Sequence, residues 1–264
     1  MNDFVSAADF FRSLREDERV YFLVRHGERA HIMRDDPHHG EFVGLTEHGR
    51  EQALNLGRII ASSVCCANGC IAGAQPCIEL LSFFSSPVGR CVQTAENIGR
   101  GFYEVYDSKK SDEGRKLLAV TPLQPLAEFF VEHYEAYMET HRTGFYQGIC
   151  RWLDGTARDP DYVDPAYYPL ASRSEEMLRL MLSKGSKRIN IFATHDAWIV
   201  PCLTHFCGIQ FSPQRWMNFL TGMAVVSDAH AAPDGAFNAG NASARDAIRR
   251  IVPVTALDTG WMLF

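Results

Sequence analysis

The sequence predicts an α/β protein, a three-layer α/β/α sandwich with a mainly parallel central sheet and a small cap insertion. Three observations lead to that class. Apolar runs such as Arg19–Val24 and Ile189–Ala193 are short and carry no helical stripe, as strands buried on both faces do. Stretches between them repeat apolar residues at i, i+3, i+4 and i+7, the spacing of an amphipathic helix. Polar residues follow the runs directly, at the carboxyl edge where open α/β sheets bind ligands. At about 100 to 200 residues per domain, 264 residues fit one domain, 1–264, with a cap from about 102–170.

The elements follow in order. Arg19–Val24 is the first strand and runs into Arg25-His26-Gly27-Glu28. After a polar loop, Arg34–Gly40, Thr46 is placed to cap a helix with Ala53, Leu56, Gly57 and Ile60 inward. Glu79–Phe84 is the second strand. It leads to Ser85-Ser86-Pro87, where Ser86 is the expected N-cap and Pro87 the first helical residue. That helix turns Cys91, Ala95 and Ile98 to the core and holds Arg90 in its first turn, close to backbone donors that attract anions. Lys116–Val120 reads as a third strand, followed by Pro122, Pro125 and Glu128. Phe129–Pro169 is aromatic-rich, proline-punctuated and weakly periodic, which suits a lobe over a pocket mouth. Ser174–Lys184 is helical, with Met177, Leu180 and Met181 inward and Gly185 as its stop. Ile189–Ala193 is the fourth strand and delivers Thr194-His195-Asp196. Met223–Val226 is the last strand, before an Ala, Gly and Asn-rich loop at 229–244. Trp216–Leu220 has helical spacing suited to packing, and with Trp198 is read as core.

Composition excludes several classes. Lys+Arg number 26 against 32 Asp+Glu, a net charge of −6, so the surface lacks the basic excess that non-specific nucleic-acid binding needs. No apolar run approaches the ~18 residues of a membrane span, and Met1–Arg19 mixes Asp, Arg and Glu with Phe and Leu, unlike a secretory leader. Eight cysteines are too sparse for a disulfide scaffold, which favours a reducing, cytoplasmic setting. Cys65, Cys66, Cys70 and Cys77 do not form the paired CxxC set of a zinc site, and the His38-His39 pair has no second pair at ligand spacing. No metal or cofactor is expected.

Three strand ends deliver Arg25-His26, Arg90 through its helix, and His195-Asp196, and one sheet brings such ends to one crevice. Two arginines and two histidines without evident acidic compensation would repel one another, and a phosphate dianion relieves that repulsion. Cationic neighbours lower an imidazole's pKa and keep it neutral and nucleophilic. His26 is the candidate nucleophile on phosphorus, with Arg25, Arg90 and His195 holding the equatorial oxygens. Asp196 and Glu128 are the candidate proton donors.

These motifs resemble the histidine phosphatase superfamily, also called phosphoglycerate mutase-like. Arg25-His26-Gly27-Glu28 resembles its signature, Gly44-Leu45-Thr46-Glu47 and Gly49–Ala53 its first helix, Ser85-Ser86-Pro87 with Arg90 and Gln93-Thr94-Ala95 its second phosphate arginine, and Thr194-His195 its second histidine. The likeness covers roughly residues 20–200 in the family's order. It implies a phosphohistidine on His26 and a phosphate pocket of Arg25, Arg90 and His195. In the mutase-like branch the acid is a mid-chain glutamate, which Glu128 resembles. In the acid-phosphatase branch it is the Asp after the second histidine, as Asp196 is here, and Arg29 resembles that branch's extra arginine. Asp196 is the preferred donor. No Pro stands two residues after Arg29, and Ile32 replaces the Asn of cofactor-dependent mutases.

The expected activity is therefore metal-independent hydrolysis of a small-molecule phosphate ester or a phosphorylated substrate. Its rivals are a mutase of the same family, an idle phospho-ligand binding module, and a thiol or zinc protein built on residues 65–77. No nucleic-acid or membrane partner is expected. Neither the physiological substrate nor the oligomeric state follows from the sequence.

Overall fold

A computed structural model of the chain describes residues 3–32, 38, 40–67, 80–106, 119–159, 161–229 and 247–262, the side chains of 65–67 and 141 excepted. Its elements run β1 (Val5–Ser6), α1 (Ala7–Arg12), β2 (Glu18–Arg25), α2 (Glu47–Ala67), β3 (Leu81–Ser85), α3 (Gly89–Tyr106), β4 (Val120–Pro122), α4 (Tyr134–Thr143), α5 (Phe145–Arg158), α6 (Leu170–Lys184), β5 (Ile189–Thr194), α7 (Asp196–Cys207), β6 (Thr221–Asp228) and β7 (Ile248–Thr255). The strands form one seven-stranded sheet in the order β1-β7-β6-β2-β5-β3-β4. β2, β5, β3 and β4 are mutually parallel. β6 runs against both β2 and β7, and β1 is parallel to β7, so β6 alone is reversed in this sheet.

Alternation along the buried strands builds the layers. Val20, Phe22 and Val24 of β2, with Ile189, Ile191 and Ala193 of β5, pack on one face against α1, α2 and α3. Tyr21 and Leu23, with Phe192, Met223 and Val225, face the opposite layer, built from α4 to α7. Every residue of β2 and β5 is buried, which explains why their sequences are unstriped. The predicted α/β/α sandwich is thus the observed architecture.

Thr46 caps α2 as expected, accepting from the Gly49 N–H at 2.9 Å, and Ala53, Leu56, Gly57 and Ile60 are buried. α3 lies across α2 at very short range. A Cβ on Gly57 would come within 2.0 Å of the Ile98 carbonyl oxygen, and one on Gly101 within 1.9 Å of that of Leu54.

Several expectations need correction. α3 starts at Gly89 rather than Pro87, because the Ser86 hydroxyl bonds the Val88 N–H at 3.3 Å and holds Pro87 in a bend before the helix. Residues 102–106 complete α3 instead of opening a cap. The weakly periodic stretch contains two helices, α4 and α5, whose Tyr137, Ile149, Trp152 and Leu153 join Phe130, Tyr167 and Trp198 in one aromatic cluster. α6 begins four residues earlier than read, at Leu170, and Leu178 rather than Leu180 completes its buried face. Trp216–Leu220 is an irregular segment, not a helix, although Trp216, Met217 and Leu220 are buried as core. β1, α1, α7 and β7 were not anticipated. The expected strand at 116–120 is described only from 119, where β4 begins at Val120. Cys70, Cys77, His39 and the 230–244 part of the last loop lie outside the described residues, as do the side chains of Cys65 and Cys66.

Candidate active site

The site forms at the carboxyl edge of the parallel strands. β2 and β5 pair in register through Arg25 and Thr194, so His26 and His195 each leave the sheet one residue beyond the same rung. Their rings stand edge to face with centroids 5.6 Å apart. β3 pairs with β5 through Ser85 and Ala193 and brings Ser86 to the same edge, with Arg90 in the first turn of α3. β4 follows at the sheet's end, and its continuation is pinned beside β5: Thr194 Oγ1 donates to the Leu126 carbonyl at 2.7 Å, and Trp198 Nε1 to that of Ala127 at 2.5 Å. Glu128 is the next residue.

His26 is 2% exposed. Its Nδ1 lies 2.8 Å from the Gly27 carbonyl, which can only accept, so Nδ1 carries the proton and Nε2 keeps its lone pair. Burial, then Arg25, His195 and Arg90, push its pKa well below the ordinary imidazole range. The Gly27 N–H donates to Thr94 Oγ1 at 3.0 Å, which ties the loop to α3. A Cβ at Gly27 would approach the Gly49 carbonyl oxygen to 2.5 Å, so only glycine lets the loop pass the start of α2. Glu28 accepts from Thr46 Oγ1 at 2.8 Å, a loop-ordering contact.

His195 is fixed from both sides. Arg90 Nη2 donates to its Nδ1 at 3.3 Å, leaving Nε2–H to face Ser86 Oγ at 3.2 Å. Burial, then Arg90, bring its pKa down to about 3, against the pull of Asp196. Arg90 also donates through Nη1 to the Gly40 carbonyl at 2.6 Å.

Arg25 is 1% exposed. Nη1 donates to the Met217 carbonyl at 2.5 Å and lies 3.3 Å from Met262 Sδ. Nη2 pairs with Asp196 Oδ2 at 3.0 Å, and the guanidinium covers Phe219 at 4.3 Å. The Nε groups of Arg25 and Arg90 are buried with no hydrogen-bond partner among the described residues. Buried guanidinium donors without an acceptor are costly, and an anion supplies the acceptor. Arg29 is half-buried beside the cluster and feels Asp196, Arg90 and Arg25. The expectation of no acidic compensation is therefore corrected, since Asp196 is an internal counter-charge.

Both Asp196 oxygens are occupied. Oδ2 takes Arg25 and Trp216 Nε1, at 3.0 and 2.8 Å, and Oδ1 takes the Ala197 N–H at 3.0 Å, at the positive end of α7. Burial alone would raise this carboxyl, but Arg25, the Trp216 N–H and His195 outweigh it and hold the pKa below its usual value. Glu128 is different. It lies at the surface beside Leu126 and Ala127, and partial burial of its carboxyl raises its pKa.

Sequence reasoning missed Ser86 as a histidine partner, Trp216 as a donor to Asp196, and Met217, Phe219 and Met262 as neighbours of Arg25. No spacing announces them. β6 is reversed, so the segment before it reaches the same edge, and Met262 arrives after the parallel β7. Among the described residues no group of three or more His, Cys, Asp or Glu could hold a metal ion. Nor is any helix among them long and apolar enough to cross a membrane.

Comparison with known proteins agrees with the motifs. The curated proteins searched contain no match. Among solved structures, a mycobacterial glucosyl-3-phosphoglycerate phosphatase is 15% identical, with 91% of this chain and 100% of that one covered and a TM-score of 0.46. A phosphoserine phosphatase from Entamoeba histolytica, in complex with 3-phosphoglyceric acid, is 18% identical, with coverages of 80% and 89% and a TM-score of 0.44. A model of the histidine phosphatase superfamily (branch 1) matches residues 21–237. That span holds His26, Arg90 and His195 within the sheet edge just described, and the chain belongs to the histidine phosphatase superfamily.

Proposed function

We propose that the protein hydrolyses phosphate monoesters through a phosphohistidine on His26, without a metal. The observation that carries this reading is the state of His26: a buried, neutral imidazole with Nδ1–H on Gly27 and Nε2 unprotonated, among Arg25, Arg90 and His195.

In the first step the Nε2 lone pair attacks phosphorus in line, forming the P–N bond as the ester P–O bond breaks. The spare guanidinium donors of Arg25 and Arg90 stabilise the equatorial oxygens, and Arg29 adds charge from the rim. His195 joins them if its Nε2–H turns from Ser86 to a phosphoryl oxygen. The leaving alkoxide takes a proton from the Glu128 carboxylic acid. In the second step the Glu128 carboxylate removes a proton from water, whose oxygen attacks phosphorus, and the P–N bond pair returns to Nε2 with release of inorganic phosphate.

Glu128 is assigned the proton in place of Asp196, the residue favoured by sequence. An acid must give up a proton near neutrality, which suits a carboxyl whose pKa is raised. Asp196 is ionised and occupied, and its part is to hold Arg25. The domain is taken as single, with α4 and α5 as the cap and a small phosphate ester as substrate.

Base-quenched turnover with a radiolabelled phosphate ester tests the scheme. The label is expected on His26, acid-labile, and absent from His26→Ala, with phosphate transferred to water rather than to a second hydroxyl. Steady phosphate release without label, undiminished in His26→Ala, would refute it.

A further inference from the structure

Arg25 is oriented by a segment that lies far away in the chain. Three of its contacts, the Met217 carbonyl, Met262 Sδ and Asp196 Oδ2, converge on the stretch around Trp216. Trp216 Nε1 shares Asp196 Oδ2 with the guanidinium, and the Trp216 carbonyl accepts from the Met262 N–H at 2.8 Å. The indole is fully buried and meets two rings, that of Phe211 edge-on with centroids 6.0 Å apart and, more closely, that of Tyr146 in the first turn of α5, with centroids 4.6 Å apart and planes 44° apart. Tyr146 is half-buried. The charges of Asp196, Arg25 and Arg29 also act on its phenol, which places Tyr146 beside the same cluster.

We propose that Tyr146 and Trp216 are a positioning pair through which the α4–α5 lobe sets the Arg25 fork, and with it the affinity of the site for phosphoryl oxygens. The inference rests on the hydrolase reading above. It assigns a phosphate-binding role to two side chains that touch no reacting atom. Trp216 holds the carboxylate against which Arg25 is aligned, and Tyr146 holds the indole. With either gone, Asp196 and Arg25 retain their charges but lose a fixed mutual geometry, and a fork–phosphate contact depends on that geometry. Packing alone predicts something else: a lower melting temperature, with the phosphate affinity of the folded protein unchanged.

Calorimetric binding of inorganic phosphate, alongside kcat and melting temperature, separates the two. Trp216→Phe removes the indole N–H, Tyr146→Ala removes the stacking ring, and Tyr146→Phe keeps the ring. A charge-assisted hydrogen bond is worth about a tenfold change in affinity, so Trp216→Phe and Tyr146→Ala should each weaken phosphate binding by about that factor. Tyr146→Phe should recover most of the loss. Because the Arg25 fork also stabilises the equatorial oxygens in the transition state, kcat should fall alongside affinity in Trp216→Phe and Tyr146→Ala and recover with it in Tyr146→Phe. Tyr146 is only half-buried, so Tyr146→Ala still carries the test should Trp216→Phe not fold. Wild-type phosphate affinity in folded Tyr146→Ala would overturn the proposal, as would a loss of affinity in Tyr146→Phe as large as that in Tyr146→Ala. Failure of the wild type to bind phosphate at all would overturn it together with the hydrolase reading, whereas binding without His26 labelling would strike the hydrolase reading alone.

Discussion

The two candidate proton donors differ through their neighbours, and substitution should separate them. Glu128→Gln should lower kcat for alkyl phosphates by roughly 10²–10⁴, the usual share of general acid catalysis. Aryl phosphates with acidic leaving groups need no proton and should lose far less. Asp196→Asn should leave that alkyl-to-aryl contrast in place. Its cost should appear in folding, because an unpaired buried Arg25 costs about 3–5 kcal/mol, readable in chemical denaturation. If Asp196→Asn instead abolishes the contrast, the assignments must be exchanged. The sequence supplied both candidates, and the contacts of Asp196 in the fold are what move the proposed proton to Glu128. The Trp216 N–H that ties up Asp196 comes from a residue 20 positions on, in an irregular segment beyond α7, where no periodic pattern points to it.

Helix α3 carries Arg90, Cys91 and Thr94 to the site, and its seat is set by the crossing with α2. Alanine is the better helix former by about 1 kcal/mol, yet Gly57→Ala and Gly101→Ala should each destabilise by about 1–3 kcal/mol, the range for overpacking, because the added carbon meets backbone at 2.0 and 1.9 Å. Gly89 is the control: a Cβ there meets nothing within 4 Å, so Gly89→Ala should not destabilise. Urea midpoints measure all three. Equal stability of Gly101→Ala and wild type would mean that the helices do not cross so closely. Helical spacing made α2 and α3 legible, and full burial made β2 and β5 legible. α4 and α5 were obscure because their aromatic residues pack against Trp198 and Trp216 as well as each other, which blurs a single stripe.

Across the whole molecule, the neutral histidines link folding to pH. His26 and His195 have folded pKa values below the ordinary 6.5, His195 down to about 3, so below pH 6.5 the unfolded chain binds protons that the folded chain does not. Stability therefore rises with pH through this window and falls on acidification, by about 1.4 kcal/mol per pH unit for each fully shifted imidazole. Asp196 acts in the same sense in a more acid window: its folded pKa lies below 3.8, so its stabilising contribution is complete above that value and is lost as pH falls through it. Denaturant titrations between pH 7 and 5 should show this loss, with about half the slope in His195→Gln. A flat profile would show that the imidazoles are not buried as described.

The sequence by itself determined the family, the two-sided core and the delivery of Arg25-His26, Arg90 and His195-Asp196, because these depend on local periodicity and on residues covalently next to strand ends. Only the tertiary structure decided what those residues are bonded to. A reversed β6 and a following parallel β7 return Met217 and Met262 to Arg25 across 192 and 237 positions, and α5 closes on Trp216 from between them. Such contacts come from strand direction and sheet order, set by the burial of the whole chain at once, and no window of neighbouring residues contains them.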